Sequence, residues 1–118
     1  MSATDQNLEA PTMKFVIEID LQSRPAWWLR DDDNHVIAWA GRTFDSLAHA
    51  DQAAHDFRVN ADDPDYRIQA MAGDRWRWTA WRPEGVRVAV AGDWFPDEVA
   101  ALDAARRVRQ HAGTAIGP

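Results

Sequence analysis

From residue 15 the chain alternates. Phe15, Ile17, Ile19 and Leu21 interleave with Val16, Glu18, Asp20 and Gln22, the period-two pattern of a strand with one buried face. Trp27 and Leu29 against Trp28 and Arg30 predict a second strand, Asp31 to Asn34 a polar turn, and residues 35–40 a third strand. Strands over 66–72, 75–82 and 86–91 follow later, with Pro83, Glu84 and Gly85 as the last turn, and Gly41 and Gly92 closing the two meanders. After each meander the period changes. Ala50, Ala53, Ala54 and Phe57 recur at i, i+3, i+4 and i+7, as do Ala101, Ala104, Ala105 and Val108. Ser46 and Asp97 stand before these stripes and are helix-capping types; Arg106, Arg107 and Arg109 near the end complement the helix dipole. An alanine stripe lets a helix lie close to a sheet, so the bulk between them must come from the strands. Inward Trp27, Trp39, Trp76 and Trp78 are expected to supply it, each burying on the order of 150–250 Å².

The two halves are the same pattern written twice. Shifted by 51 residues, 15–61 lies on 66–112 without a gap, at about a quarter identity. Ile17 falls on Ile68, Arg24 on Arg75, Trp27 on Trp78, Gly41 on Gly92, Phe44 on Phe95 and Arg58 on Arg109. The expected fold class is therefore α+β: two tandem β-β-β-α repeats in one pseudo-twofold domain, with a mainly antiparallel sheet packed by two helices. A unit of this size leaves an apolar face uncovered, and a second copy shields it. Residues 1–13 read as a disordered tail, and 14–112 as one domain made of repeat 1 (14–61) and repeat 2 (66–112). Residues 62–65 form the joint, and 113–118 are a short frayed end.

Composition narrows the classes. With 118 residues the chain is long enough for a core without staples, and it has no cysteine, hence no disulfide, thiolate metal site or cysteine nucleophile. It carries seven tryptophans beside one tyrosine and four phenylalanines. A net charge of −6 argues against indiscriminate binding to nucleic acid or anionic membrane. Neither a signal peptide nor a spanning helix is expected, and a cytoplasmic location is. The charge is uneven: 66–112 holds eight arginines against six acids, whereas 15–61 holds four against eight.

Arg75-Trp76-Arg77-Trp78, the Gly85 turn, the strand Val86 to Ala91, Phe95, the capping Asp97 and the alanine-striped helix ending in Arg109 resemble the YegP-like tandem-repeat family. The first half matches through Trp27, Asn34, Val36-Ile37-Ala38, Phe44, Ser46 and Arg58. The resemblance implies a continuous sheet built from both units with terminal strands exchanged between them, the last from Thr114 to Ile116. It also implies an unknown function and no catalytic residues. The Asn-Gly turn usual in that family is split here, Asn34-His35 in one copy and Glu84-Gly85 in the other.

Candidate chemistry is sparse. Alternation places Val16, Glu18, Trp28, Arg30, Val36 and Ala38 on the sheet face away from the helices, joined by Arg67, Gln69, Met71, Arg77, Thr79, Trp81, Arg87 and Ala89. Trp28, Arg30, Arg67, Met71, Arg77, Trp81 and Arg87 form the candidate binding face, since tryptophan and arginine carry most interface energy. The same guanidinium groups beside Trp81 suit an anion or a stacked base, and in the plainer reading the Arg stems only cover indole faces. His49, Gln52 and Asp56, and Asp51 with His55, share helix faces without a third ligand, and the Asp31–Asp33 and Asp62–Asp65 runs lack calcium-loop spacing. Ser23 and Ser46 fit no nucleophile elbow. The expectation is a small non-catalytic interaction module, not an enzyme, without cofactor or metal. Its partner would be a protein or a second copy on the helix-free face, although a monomer suffices for the fold. Binding to nucleic acid or another anion is the weaker alternative, an orphan enzyme a weaker one still, and membrane is not expected.

Overall fold

The computed structural model describes residues 12–117. Strands β1 (Lys14–Ile19), β2 (Pro25–Arg30) and β3 (Val36–Trp39) are followed by α1 (Leu47–Val59). Then come β4 (Asp65–Met71), β5 (Arg75–Trp81), β6 (Arg87–Ala91) and α2 (Glu98–His111), and a short 3-10 turn, Ala112–Thr114. The six strands form one antiparallel sheet in the order β1-β2-β3-β6-β5-β4. The two meanders meet at the centre, where Ala38 pairs with Ala91 and Trp39 with Val90. Both helices cover one face, α1 over β1 and β2, α2 over β4 and β5. No helix among the described residues is long and apolar enough to cross a membrane.

Local chemistry accounts for the boundaries. Ser46 Oγ accepts the His49 N–H at 3.1 Å and the Asp97 carboxylate accepts the Ala100 N–H at 2.8 Å, each cap worth about 1 kcal/mol. The helix stripes bury Ala50, Ala54 and Phe57, and Ala101, Ala105 and Val108. Into the space they leave come Trp27 and Trp78, the largest fully buried side chains. Trp27 stacks on Phe57 at 5.1 Å and meets Phe15 edge-on, while Trp78 tilts against Tyr66 at 5.6 Å. Trp76 lies on the same side as Trp78 but is only half-buried.

The alternation does not run unbroken through β3 and β6. Leu29 pairs with Ala38 and Arg30 with Val36, so Ile37 is an extra residue; Ala80 pairs with Ala89 and Trp81 with Arg87, so Val88 is another. Each bulge turns the following residue over. Ala38 and Ala89, expected on the helix-free face, are fully buried in the core. Trp39, expected inside, lies instead opposite Trp28 on the helix-free side. β1 ends earlier than its pattern suggested. Asp20 Oδ1 accepts the N–H groups of Gln22 and Arg24, Ser23 takes a φ of 62°, and Leu21 is fully exposed in that turn rather than inward.

Met13, expected in the loose tail, and Ala115 and Ile116, expected in the frayed end, are held in place. Of the tail, 1–11 lies outside the described residues, yet Met13 is buried and its carbonyl accepts the Ile116 N–H. Ile116 returns the contact through its own carbonyl to the Phe15 N–H and forms a parallel bridge with Lys14. The segment after α2 is therefore paired to β1 in the other half, and Ala115 is buried. Pro118 lies outside the described residues.

The sole tyrosine provides a clean stability probe. Tyr66 donates its phenolic O–H to the Ala61 carbonyl. Burial pushes its pKa well above the ordinary tyrosine range, Arg109 opposing and Asp62 reinforcing the effect. The unfolded chain ionises near pH 10 while the folded one stays neutral, so this contribution is complete below about pH 10 and is lost as pH rises further. Tyr66→Phe is expected to flatten the alkaline loss of stability and to cost about 1 kcal/mol at neutral pH. Urea unfolding across alkaline pH, with phenolate absorbance as a second readout, checks both; an unchanged alkaline slope would contradict the assignment.

Candidate interaction face

The face without helices presents the side chains of alternate residues of all six strands. Trp28 on β2 stands opposite Val16 and Trp39, and the Trp28 and Trp39 rings stack at 4.7 Å with planes 10° apart. Beside them Arg30 Nη2 donates to Glu18 Oε1 at 2.7 Å. Trp28 Nε1 and Arg30 Nε are buried without a hydrogen-bond partner among the described residues. In the other half the Arg67 guanidinium sits over the Trp81 ring at 4.9 Å while bonding Asp65. Trp81 Nε1 donates to the hydroxyl of fully buried Thr79 at 2.8 Å, which satisfies both groups. Arg77 Nε donates to Gln69 Oε1, and half-buried Met71 lies opposite Arg75. Arg87 reaches across the central seam to the Gly41 carbonyl at 3.1 Å.

All seven candidates thus share one side of the sheet, in two groups flanking the seam. Trp28 and Trp81 are both half-buried, packed under their neighbours rather than standing free. Between the groups a depression of about 220 Å³ opens, lined by Trp39, Arg77, Arg87 and Trp94 among others. Two of its aromatics escaped sequence reasoning. Trp39 was misassigned by the β3 bulge, and Trp94, 46% exposed with the Arg75 guanidinium 5.9 Å from its ring, belongs to a loop where no periodicity speaks.

The electrostatics of this face oppose those of the chain. Lys14, Arg30, Arg67, Arg75, Arg77 and Arg87 project there against Glu18, Asp65 and, at the depression, Asp93, a net +3 on a chain of net −6. Each arginine held by a single bond keeps donors to spare, because a guanidinium carries five N–H groups.

Other candidate groups are less organised. Among the described residues, three His, Asp or Glu side chains come together at one place, Asp31, Asp33 and His35, with donor atoms within 4.8 Å. Asp31 Oδ1 there already accepts the Asp33 and His35 N–H groups, so the cluster is accounted for by a turn. Among the described residues, His49, Asp51, His55 and Asp56 belong to no group of three His, Asp or Glu side chains, and Gln52 is bonded to Asp56. The Ser46 hydroxyl is occupied as a cap, and Ser23 lies in an exposed turn.

The geometry defines an α+β protein with a six-stranded antiparallel sheet covered on one side by two helices. The same fold occurs in a UPF0339 protein from Shewanella oneidensis, with a TM-score of 0.70, 9% identity and 86% of each chain covered. It also occurs in the yegP protein of unknown function from E. coli, with a TM-score of 0.69, 8% identity, and 91% of this chain and 90% of that one covered. These neighbours have the YegP-like fold that the motifs resembled. No family model matches the sequence, and comparison with curated proteins finds no match.

Proposed function

We propose that this is a small non-catalytic binding module whose helix-free sheet face takes an acidic protein segment. The observation that carries the reading is the reversal of charge: a cationic, tryptophan-bearing face on an acidic chain. Such a face steers an acidic partner while the rest of the molecule repels it, which fixes the docking side. Half-buried Trp28, Trp39 and Trp81 and exposed Trp94 offer rigid flat area at low entropic cost, as interface anchors do. Single-stranded nucleic acid is the second reading, favoured by the Arg67–Trp81 stack alone.

The test uses a glutamate-rich peptide containing aromatic residues, followed by tryptophan fluorescence. Binding is expected to weaken with salt and to fall at least about tenfold in the Trp28→Ala plus Trp81→Ala double variant. Equal affinity for a lysine-rich peptide would remove the proposal. Tighter binding to single-stranded DNA than to the peptide would transfer the face to nucleic acid.

We further propose that the two halves are copies of one β-β-β-α unit related by an approximate twofold axis, and that the chain is YegP-like by descent as well as by fold. Several features recur 51 residues apart: the buried Trp27 and Trp78, the bulges at Ile37 and Val88, and the caps Ser46 and Asp97. Trp39 pairs with Val90, its own equivalent, as a residue beside such an axis must. Phe95 exchanges both backbone bonds with Trp76; Phe44 makes one with Pro25, the corresponding residue, which has no N–H to return the other. This internal pairing supports a monomer, and a cytoplasmic setting goes with the reading.

A further inference from the structure

A second cleft lies on the helix-bearing side of the sheet, with Arg87 at the edge it shares with the helix-free face. It opens between α1 and the β5–β6 hairpin with a volume of about 490 Å³, and a smaller one of about 320 Å³ opens between α2 and the β2–β3 hairpin. Their floors correspond at a spacing of 51 residues, Phe44 with Phe95, Ala53 with Ala104 and Val88 with Ile37. Their charges are inverted. Arg42, Asp56 and Arg82 in the larger cleft stand where the smaller has Asp93, Arg107 and Asp31. In the smaller cleft Asp31 is taken up by its turn.

In the larger cleft Arg42, Arg82 and Arg87 share the lining with Asp56, Asp63 and Glu84, yet no ion pair forms among these six; Asp56 accepts the Gln52 side-chain amide and Arg87 donates to the Gly41 carbonyl. The ion pairs among the described residues lie elsewhere, at Arg30–Glu18, His35–Asp31 and Arg67–Asp65. Arg42 is instead laid over the Phe44 ring, 4.7 Å from its centroid. Both signs of charge are thus held apart around an apolar floor, in a volume suited to a small molecule. A purely anionic ligand would meet three carboxylates, and a purely cationic one the guanidinium groups. An apolar ligand would strip water from all of them without return. We infer that the cleft binds a zwitterion with an apolar side group, a free amino acid of the aromatic or large aliphatic class. Its carboxylate meets Arg42 and Arg82, its ammonium faces the acidic side, and its side chain lies on Phe44, Ala53 and Val88.

The test is an amide NMR titration with L-phenylalanine and L-leucine, alongside two half-charged analogues, phenethylamine and 3-phenylpropanoate. At least one amino acid is expected to shift the Phe44, Ala53 and Val88 amides and to bind about tenfold tighter than its half-charged analogues. Arg82→Gln should weaken amino-acid binding about tenfold and leave phenethylamine unchanged. No response to either amino acid at about 10 mM, shifts confined to another region, or an analogue binding equally well would overturn the inference. An Arg82→Gln variant that binds like the parent would do the same. Arg87 borders both surfaces, but Arg82 lines the cleft and not the sheet-face depression, and Trp28 and Trp81 do not line the cleft, so the Arg82→Gln and double-tryptophan variants let the two results fail independently.

Discussion

Gly92→Ala is expected to destabilise the protein by about 3 kcal/mol or more, at the upper end of what a single added methyl costs. A Cβ at Gly92 would lie 2.1 Å from the Val36 carbonyl oxygen and 2.6 Å from its carbon, and neither backbone atom can rotate away as a side chain would. The Gly92 N–H donates to the Ile37 carbonyl at 3.2 Å, just beyond the pairs Ala38–Ala91 and Trp39–Val90. Those pairs are the seam through which the two meanders become one sheet. Relieving the clash means prising β3 from β6 there. Gly85→Ala is the control: its φ of +84° carries the left-handed penalty of about 1–2 kcal/mol, but nothing lies within 4 Å of the added carbon. Urea unfolding of both variants compares the two effects. Equal losses would mean that the seam yields and that Gly92 is not needed for close approach.

The same seam shows where sequence reasoning reached and where it stopped. Element order was legible because alternation, caps and turn residues act over a few positions, and Ser46, Asp97 and Gly85 do what those residue types do elsewhere. Alternation fails at an inserted residue, and nothing in Val36-Ile37-Ala38 or Arg87-Val88-Ala89 announces a bulge; the partner strand decides it. The slip at Ile37 misplaced Ala38 and Trp39, and the slip at Val88 misplaced Ala89. The candidate face was legible as a set of side chains, since Trp28, Arg30, Arg67, Met71, Arg77, Trp81 and Arg87 do share a side. How each arginine is held was not, because Glu18 is 12 residues from Arg30 and Gly41 is 46 from Arg87. Ile116 on Lys14 was available only through the family resemblance, because three residues carry no periodicity.

Trp27→Ala and Trp78→Ala should each cost about 3–5 kcal/mol, the range for removing a large aromatic from a packed core. Each indole is at most 1% exposed, and the alanines beneath it cannot move in to refill the space. Trp27 would leave behind Phe57 and Phe15, and Trp78 would leave Tyr66. The more telling expectation is that either loss weakens both halves. Ile116, downstream of α2, is bonded to Met13 and Phe15, and α2 also touches β3, so neither half closes its core alone. Amide exchange should therefore accelerate in α1 and α2 alike in either variant, with a single unfolding transition. Exchange that accelerates only in the substituted half would mean two independent units sharing a seam. Trp78→Phe separates volume from polarity. Trp78 Nε1 is buried without a partner among the described residues, so phenylalanine removes an uncompensated N–H along with part of the ring. Its cost should fall to about 1–2 kcal/mol, well short of alanine's, and a loss as large as alanine's would show that the indole nitrogen matters after all.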